Sequence, residues 1–362
     1  MLAGRVGVIG AGLIGGSVAL GLRARGIHTI VFDSAAATAE RALELGAASE
    51  LAAGPGAVAE GAQAVVICTP VESLPEICGE LASSLPEHVV VTDVASAKAE
   101  AVAAGEALLG GRFIGGHPMA GSERHGIEAA DGALFQDAWW ILTPTERTSP
   151  RGYEAVADLV GALGARPVAV DPSVHDVLVA DVSHVPQIAA SALVDLAAAT
   201  GERDALLGLV GAGFRDMTRV AASRPDLWTG ILRSNRAAVL SALEGLNDRL
   251  GLVRELIAAS RWEELEAWLA GARAARLELF TKTPFAGPAV TLSLLVPDRP
   301  GVLAQVTTAA GRLGTNIEDL RIVHSPEGGR GRLELLVEGG DRAERLAQVL
   351  TEMGYRIERQ DD

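Results

Sequence analysis

The segment "VIGAGLIGG", Val8 to Gly16, sets the strongest constraint on how this 362-residue chain folds. An apolar run from Val6 to Ile9 meets a glycine turn, and a helical pattern starts at Leu13. Gly10-Ala11-Gly12-Leu13-Ile14-Gly15 fits G-x-G-x-x-G, and Asp33 follows 18 residues after Gly15, at the end of the next apolar run, "HTIVFD". Strand, glycine turn, helix and distant acid together specify a dinucleotide-binding unit. The first glycine makes the turn, the second lets backbone approach a pyrophosphate, and the third lets the helix pack on the sheet. The helix N-terminus adds N–H donors and partial positive charge. Asp33 suits the adenosine ribose hydroxyls and repels a 2′-phosphate, and the following "SAAATAE" carries no arginine, so NAD is expected rather than NADP.

Further apolar runs follow: "AVVICTP", "HVVVTDV", "RFIGGHP", "AWWILTP" and "ARPVAV". Ala-rich helical segments separate the first four strands. Short strands alternating with helices predict a mainly parallel, doubly wound α/β sheet, a Rossmann domain over residues 1–170. Ligands of such sheets bind at the carboxyl ends of the strands. That edge collects Gly10, Gly12, Leu13, Ile14, Gly15, Asp33, Thr69, Pro70 and Asp93 as the expected cofactor contacts, with Ser96 close by. Ser96 reads equally well as the N-cap of "AKAEAVAAGEALL".

From Asp171 the strand signal stops, and four segments show apolar positions at spacings of three and four. They predict an all-α domain over residues 171–283, with apolar faces in excess of what one chain buries, and hence a homodimer. "TKTPFAGP" is a breaker-rich linker. Residues 289–362 then read strand, helix, strand, strand, helix, strand, a ferredoxin-like βαββαβ unit.

Composition narrows the partners. Net charge is −15, and no cluster of Lys and Arg marks a nucleic-acid or anionic-membrane surface. An anionic ligand must therefore meet cations placed locally. The two cysteines, Cys68 and Cys78, and seven histidines form no metal-ligand spacing, so no metal is expected. The chain opens directly on a strand, with no basic leader or cleavage site, and no apolar stretch of 18 residues free of charge or breakers occurs. No membrane contact and a cytoplasmic location are expected.

"IGGHPMAGSERHG", Ile114 to Gly126, is too polar and glycine-rich for a core element. Its strand ends near Gly116, so His117 emerges at the same carboxyl edge as the glycine turn, where catalytic groups of such sheets sit. His125 reads as a surface or lid residue. His175, in the first turn of its helix, reads as structural, and so does His184 when taken alone.

The motifs "GVIGAGLIGGS", "DVASAK", "GGHPMAGSERHG", "SHVPQ" and "GFRDMTR" followed by Trp228 resemble, in order and spacing, the prephenate and arogenate dehydrogenases of tyrosine biosynthesis. The resemblance covers residues 1 to about 283. The C-terminal unit, with "PDRPGVLAQV" and "GTNIEDL", resembles an ACT domain. The resemblance implies oxidative decarboxylation of prephenate to 4-hydroxyphenylpyruvate with NAD. It implies His117 as acceptor of the hydroxyl proton and Ser96 beside hydroxyl and nicotinamide. A histidine of ordinary pKa near ~6.5 suits that base. It further implies Arg219 as the carboxylate-binding cation. Arg215, four residues earlier and on the same helical face, is a second candidate or a partner of Asp216. Ser122 and Glu123 fall in the pocket, Glu123 and Asp216 at a charged gate, and His184 and Gln187 near the substrate side chain. Either acid can equally be plain surface. Some relatives carry histidine where this chain has Gln187; a neutral amide suits prephenate's keto group better than arogenate's amine. For the ACT unit the resemblance implies tyrosine as effector, at Asp298, Gly301, Asn316 and Ile317, with a purely structural dimerisation unit as the alternative.

Three rivals stand beside prephenate. Arogenate needs the same chemistry. A β-hydroxy-acid dehydrogenase normally relies on a lysine in its helical domain, and no lysine occurs between Lys98 and Lys282. A non-catalytic NAD- and amino-acid-sensing regulator leaves the His117 loop and the Arg219 helix without a purpose.

Overall fold

A computed structural model describes residues 4–121, 124–199, 201, 208–280, 289–297, 302–313, 315, 317–324, 330–338 and 340–361. The chain divides into two compact units, residues 1–251 and 252–362.

The first unit opens with the expected alternation. Strands β1 (Arg5–Ile9), β2 (His28–Phe32), β3 (Glu50–Leu51), β4 (Ala62–Ile67), β5 (Val90–Asp93), β6 (Phe113–Pro118), β7 (Trp139–Thr143) and β8 (Arg166–Ala169) form one sheet. Its order is β3-β2-β1-β4-β5-β6-β7-β8. Every pairing is parallel except β6 with β7. The two-residue β3 is too short to show an apolar pattern and was not expected from the sequence. Helices α1 (Leu13–Arg23), α2 (Ala36–Glu44), α3 (Leu74–Ser84), α4 (Ala99–Leu109) and α5 (Pro150–Ala162) connect the strands. Two apolar cores form: Val6, Val8, Val18 and Leu22 belong to one, and Ile9, Val65, Ile67 and Leu81 to the other. Alternate residues of β1 therefore enter different cores, as expected for a strand covered on both faces.

The helical region departs from simple periodicity in an informative way. The apolar run after Asp171 is continuous helix from Pro172 to Ala198, and it is long and apolar enough to cross a membrane by those criteria alone. It contains three parts: α6 (Pro172–Val179), a π-helical turn (Ala180–His184) and α7 (Val185–Ala198). Pro186 cannot donate to the helix ladder, and its ring crowds the preceding turn; the wider π turn accommodates it. Asp171 starts the helix by accepting from the Ser173 and Val174 amides. Then come α8 (Ala212–Thr218), α9 (Pro225–Ser234), α10 (Arg236–Ala258) and α11 (Trp262–Phe280).

Within the second unit, β9 (Ala289–Pro297), α12 (Val302–Arg312), β10 (Ile317–His324), β11 (Arg330–Glu338), α13 (Gly340–Glu352) and β12 (Arg356–Asp361) give the βαββαβ order. The sheet is antiparallel, ordered β10-β11-β9-β12. Leu292, Leu294, Val306, Leu333, Leu335 and Leu346 fill its core.

Candidate active site

The glycine turn is shaped for a phosphate group. Gly10 has φ of +91°, which a side chain tolerates poorly, and a Cβ there would also lie 2.8 Å from the Cys68 carbonyl oxygen. At Gly15 a Cβ would stand 1.8 Å from the Gly10 oxygen, so helix and turn touch there. Gly12 differs: nothing lies within 4 Å of where its Cβ would be. Two of the three motif glycines make room for protein and one makes room for a ligand. Asp33 accepts from the Ala11 amide at 2.7 Å and the Ala35 amide at 2.9 Å, which fixes the acid against the turn. The only basic residue of α2, Arg41, pairs with Glu44 and Glu128. It is committed to carboxylates, so no free cation of that helix awaits a 2′-phosphate. Open backbone at a helix start and a fixed acid beside it fit NAD.

Cys68 and Cys78 have no part in this chemistry. Burial pushes the Cys68 thiol far up and the Cys78 thiol up to about 12. Among the described residues no group of acids, histidines and cysteines is arranged for a metal.

The histidine segment continues past its strand into contact with α1. Ile127 and Ala130 lie against Gly16, where an added Cβ would meet them at 2.5 and 2.8 Å. The Asp131 amide donates to Ser17 Oγ at 2.9 Å. "GGS" after the phosphate turn is thus the seat of the loop that follows His117.

His117 is half-buried on β6, level with Ile141 of β7. Its Nδ1 lies 2.9 Å from His175 Nε2, and His175 Nδ1 lies 2.8 Å from Asp176 Oδ1. A carboxylate only accepts, so His175 Nδ1 carries the hydrogen. With that hydrogen on Nδ1, His175 accepts at Nε2 and His117 donates from Nδ1. His117 Nε2 is left with its lone pair. Asp176 is buried and also accepts from the Lys98 amide at 2.6 Å and the Ala99 amide at 2.9 Å. Burial alone would raise its carboxyl, but the bonds from His175 and those two amides prevail and hold it below the ordinary range. His117 is pushed well below the usual histidine range, first by burial and then by the nearby Lys98, His175 and His184. It is neutral at pH 7, the form in which an imidazole can take up a proton.

Several sequence expectations change here. His175, read as structural, is in direct contact with His117; a lone histidine in a first turn gave no sign of a partner 58 residues away. The N-cap alternative for Ser96 falls, because Asp176 from α6 supplies the acceptor at the start of α4. Ser96 is half-buried in the turn before that helix. Asp93 is removed from the cofactor contacts: it is 0% exposed, and its carboxylate is taken by Lys98 Nζ and the amides of Gly116 and Ala95. Thr69 and Pro70 follow β4 as expected, with Thr69 Oγ1 accepting from Ser73 Oγ at 2.9 Å.

His184 closes the π turn and is 1% exposed. Asn235, at the junction of α9 and α10, donates to the Asp176 carbonyl at 2.7 Å and lies 3.2 Å from His184 Nδ1. Trp228 meets the His184 ring edge-on at 6.0 Å. Burial holds His184 down at about 4. Asn235 carried no sequence signal, since it looks like any polar residue between two helical runs. Gln187, one turn on, is buried, and its Oε1 has no partner among the described residues. Arg215 and Asp216 are exposed on α8; the helix ends at Thr218, and Arg219 opens a 3₁₀ turn instead of continuing the face. His125 is exposed. Ser122, Glu123, Asp298, Gly301 and Asn316 lie outside the described residues. Ile317 opens β10 opposite Val337.

Comparison with known proteins gives the family. Residues 18–169 match the family model "Prephenate dehydrogenase, nucleotide-binding domain", and residues 171–271 match "Prephenate dehydrogenase, dimerization domain". The chain belongs to the prephenate dehydrogenase family. Residues 292–356 match an "AHAS small subunit-like ACT domain". The family member from Bacillus subtilis (strain 168), a prephenate dehydrogenase, is 33% identical over 351 residues, 94% of each chain. The prephenate dehydrogenase from A. aeolicus, solved in complex with hydroxyphenyl propionate and NAD+, is 32% identical. Its TM-score is 0.72, covering 77% of this chain and 99% of that one. The Synechocystis arogenate dehydrogenase is 33% identical with TM-score 0.68, over 76% and 99% of the two chains.

Proposed function

We propose that this chain is an NAD-dependent dehydrogenase that converts prephenate to 4-hydroxyphenylpyruvate, with loss of carbon dioxide, in tyrosine biosynthesis. The observation that carries the reading is the Asp176–His175–His117 series, which leaves a neutral His117 with a free basic nitrogen. Bound NAD supplies the hydride acceptor. His117 Nε2 takes the proton of the ring hydroxyl as the carbonyl forms. The imidazolium that results is stabilised through His175 by the Asp176 charge. Ser96 hydrogen-bonds the same hydroxyl. Aromatisation of the ring as carbon dioxide leaves drives the reaction forward.

Gly10, Gly12, Leu13, Ile14 and Gly15 hold the pyrophosphate, Asp33 the ribose, and Thr69 and Pro70 line the crevice. Arg219 binds a substrate carboxylate, with Arg215 as the second cation; both guanidinium groups are exposed. That matters in a chain of net charge −15, whose overall field repels a dianion. Ser122, Glu123 and Asp216 form the pocket mouth. His184 and Gln187 face the substrate side chain. The unpartnered oxygen of Gln187 suits a hydrogen-bond donor, which keeps arogenate, with its amine, as the second reading.

The three domains are residues 1–170, 171–283 and 289–362. The helical domain forms a homodimer. Val174, Val177, Leu178 and Val182 are exposed along the apolar helix, beside a groove of about 420 Å³ lined by Val177, Val185, Ala242 and Leu246. A second copy covers this face, which also accounts for so apolar a helix without a membrane. The ACT domain binds tyrosine through Asp298, Gly301, Asn316 and Ile317 as feedback, and the enzyme works in the cytoplasm.

One assay tests the reading: NADH formation with purified prephenate, arogenate and simple hydroxy acids. Turnover of prephenate well above arogenate is expected. Faster turnover of arogenate reverses the substrate assignment, and a rate with neither removes the function. Added tyrosine at millimolar concentration is expected to slow the reaction, and light scattering to show a dimer.

A further inference from the structure

The sequence contains two lysines, Lys98 and Lys282, among 31 basic residues. A chain that uses arginine almost everywhere keeps a lysine at Lys98, which is 0% exposed. The site demands a compact point charge, which a planar guanidinium is not. Lys98 Nζ is paired with Asp93 and donates to the Gly116 carbonyl at 2.8 Å. Asp93 Oδ1 accepts from the Gly116 amide at 3.0 Å. Both backbone polar groups of the residue before His117 are therefore held by one buried ion pair. The Lys98 amide donates to Asp176 Oδ1, the same oxygen that accepts from His175, whose other nitrogen meets His117. Lys98 thus reaches His117 twice, through the backbone from its side chain and through the imidazole from its own amide.

The two glycines before His117 belong to the same device. A Cβ at Gly115 would lie 2.3 Å from Thr143 Oγ1 and 3.4 Å from Lys98 Cδ; at Gly116 it would lie 2.7 Å from the Asp93 main-chain carbonyl oxygen and 2.9 Å from Trp140 Nε1. They are bare so that strand β6 can lie tight against β5, β7 and the Lys98 stem. A buried ion pair is a poor source of stability, because desolvation consumes most of its attraction. Its retention calls for another use.

We propose that Lys98 is a positioning residue that holds His117 in place from both its backbone and its ring, and keeps it in its basic form. This rests on His117 as the base. The charged and titratable groups around His117 are Lys98 on the start of α4, Asp93 on β5, His175 and Asp176 on α6, and His184 on the π turn. Lys98 is the one lysine or arginine among them; burial lowers its pKa against the opposing pull of Asp93 and Asp176, and the charge that this pairing sustains disfavours a second positive charge on His117.

The test is Lys98→Met in the full-length protein, read by NAD titration and by the pH profile of kcat/KM with prephenate. NAD affinity should stay within about threefold. kcat/KM at neutral pH should fall about 100-fold, the cost of a misplaced group. The acid limb should move to higher pH by about one unit or more, because a like charge has been removed from beside the base. Where Lys98→Met alone does not fold, Lys98→Met with Asp93→Asn buries no unpaired charge and takes its place with the same readouts. A folded variant whose acid limb stays at the wild-type pH overturns the inference, whatever its rate. His117→Asn separates the two claims. If it keeps turnover, the base assignment fails; if it is inactive while the Lys98 limb is unmoved, only the role of Lys98 fails.

Discussion

The glycine turn and the His117 cluster stand at the carboxyl ends of two strands, β1 and β6, of one sheet, and they are built in opposite ways. The turn is local: six consecutive residues and one acid on the next strand. The cluster gathers Asp93, Lys98, His117, His175, Asp176, His184 and Asn235 from strand ends, a helix start, a π turn and a helix junction. Binding needs backbone dipoles, which a single supersecondary unit supplies. Proton transfer needs a base of fixed tautomer, and a tautomer is fixed only by partners from elsewhere in the chain.

The contrast predicts that the two regions fail separately. His117→Asn should give the largest effect, a loss of roughly 10³-fold in turnover, with NAD affinity unchanged by titration. Asp176→Asn should come next, at about 10²-fold in kcat. It leaves His175 without an anionic acceptor, and its kinetic loss should exceed any change in NAD affinity. Gly15→Ala should do the reverse. Its Cβ would fall on the Gly10 oxygen, so NAD affinity should drop more than about tenfold and the melting temperature should fall, with overpacking costing about 1–3 kcal/mol. Asp33→Ala should weaken NAD several-fold and narrow discrimination against NADP, read as the ratio of kcat/KM for the two cofactors. Equal loss of NAD affinity in His117→Asn and Gly15→Ala would erase the distinction between the regions.

The smallest effect concerns pH and stability. His184 has a folded pKa of about 4 against ~6.5 unfolded, so between these values the unfolded chain binds more protons. Stability is fully present above about pH 6.5 and is lost as pH falls toward 4. Urea titrations across that window should show a fall on the order of 2 kcal/mol. His184→Gln, which cannot charge, should lessen it, leaving the part that His117 contributes with the same sign.

Much was legible because it is repetitive or local. Strand β1, the turn, α1 and Asp33 follow from apolar runs and glycine spacing; His117 was expected just past a strand ending near Gly116, but β6 runs on to Pro118 and His117 pairs within it, opposite Ile141. The βαββαβ unit follows from its element order. Asn235 and His175 escaped because nothing in their own neighbourhoods differs from ordinary helix surface. Asp93 looked like a ligand contact, since strand-end acids often are, until its carboxylate proved committed to Lys98 and two amides. Ser96 looked like a helix cap because a serine stands where one belongs; the cap came instead from Asp176, 78 residues on from Lys98.

The sequence by itself determined the dinucleotide fold, and it pointed to the edge of the sheet proposed as the site and to the histidine that stands there. Each of these depends on residues close enough in the chain for periodicity and spacing to record them. Only the tertiary structure decided which nitrogen of His117 is basic and why it stays neutral. That depends on Asp176, His175 and Lys98 meeting across three elements, and hydrogen-bond direction is a property of the meeting rather than of any one residue.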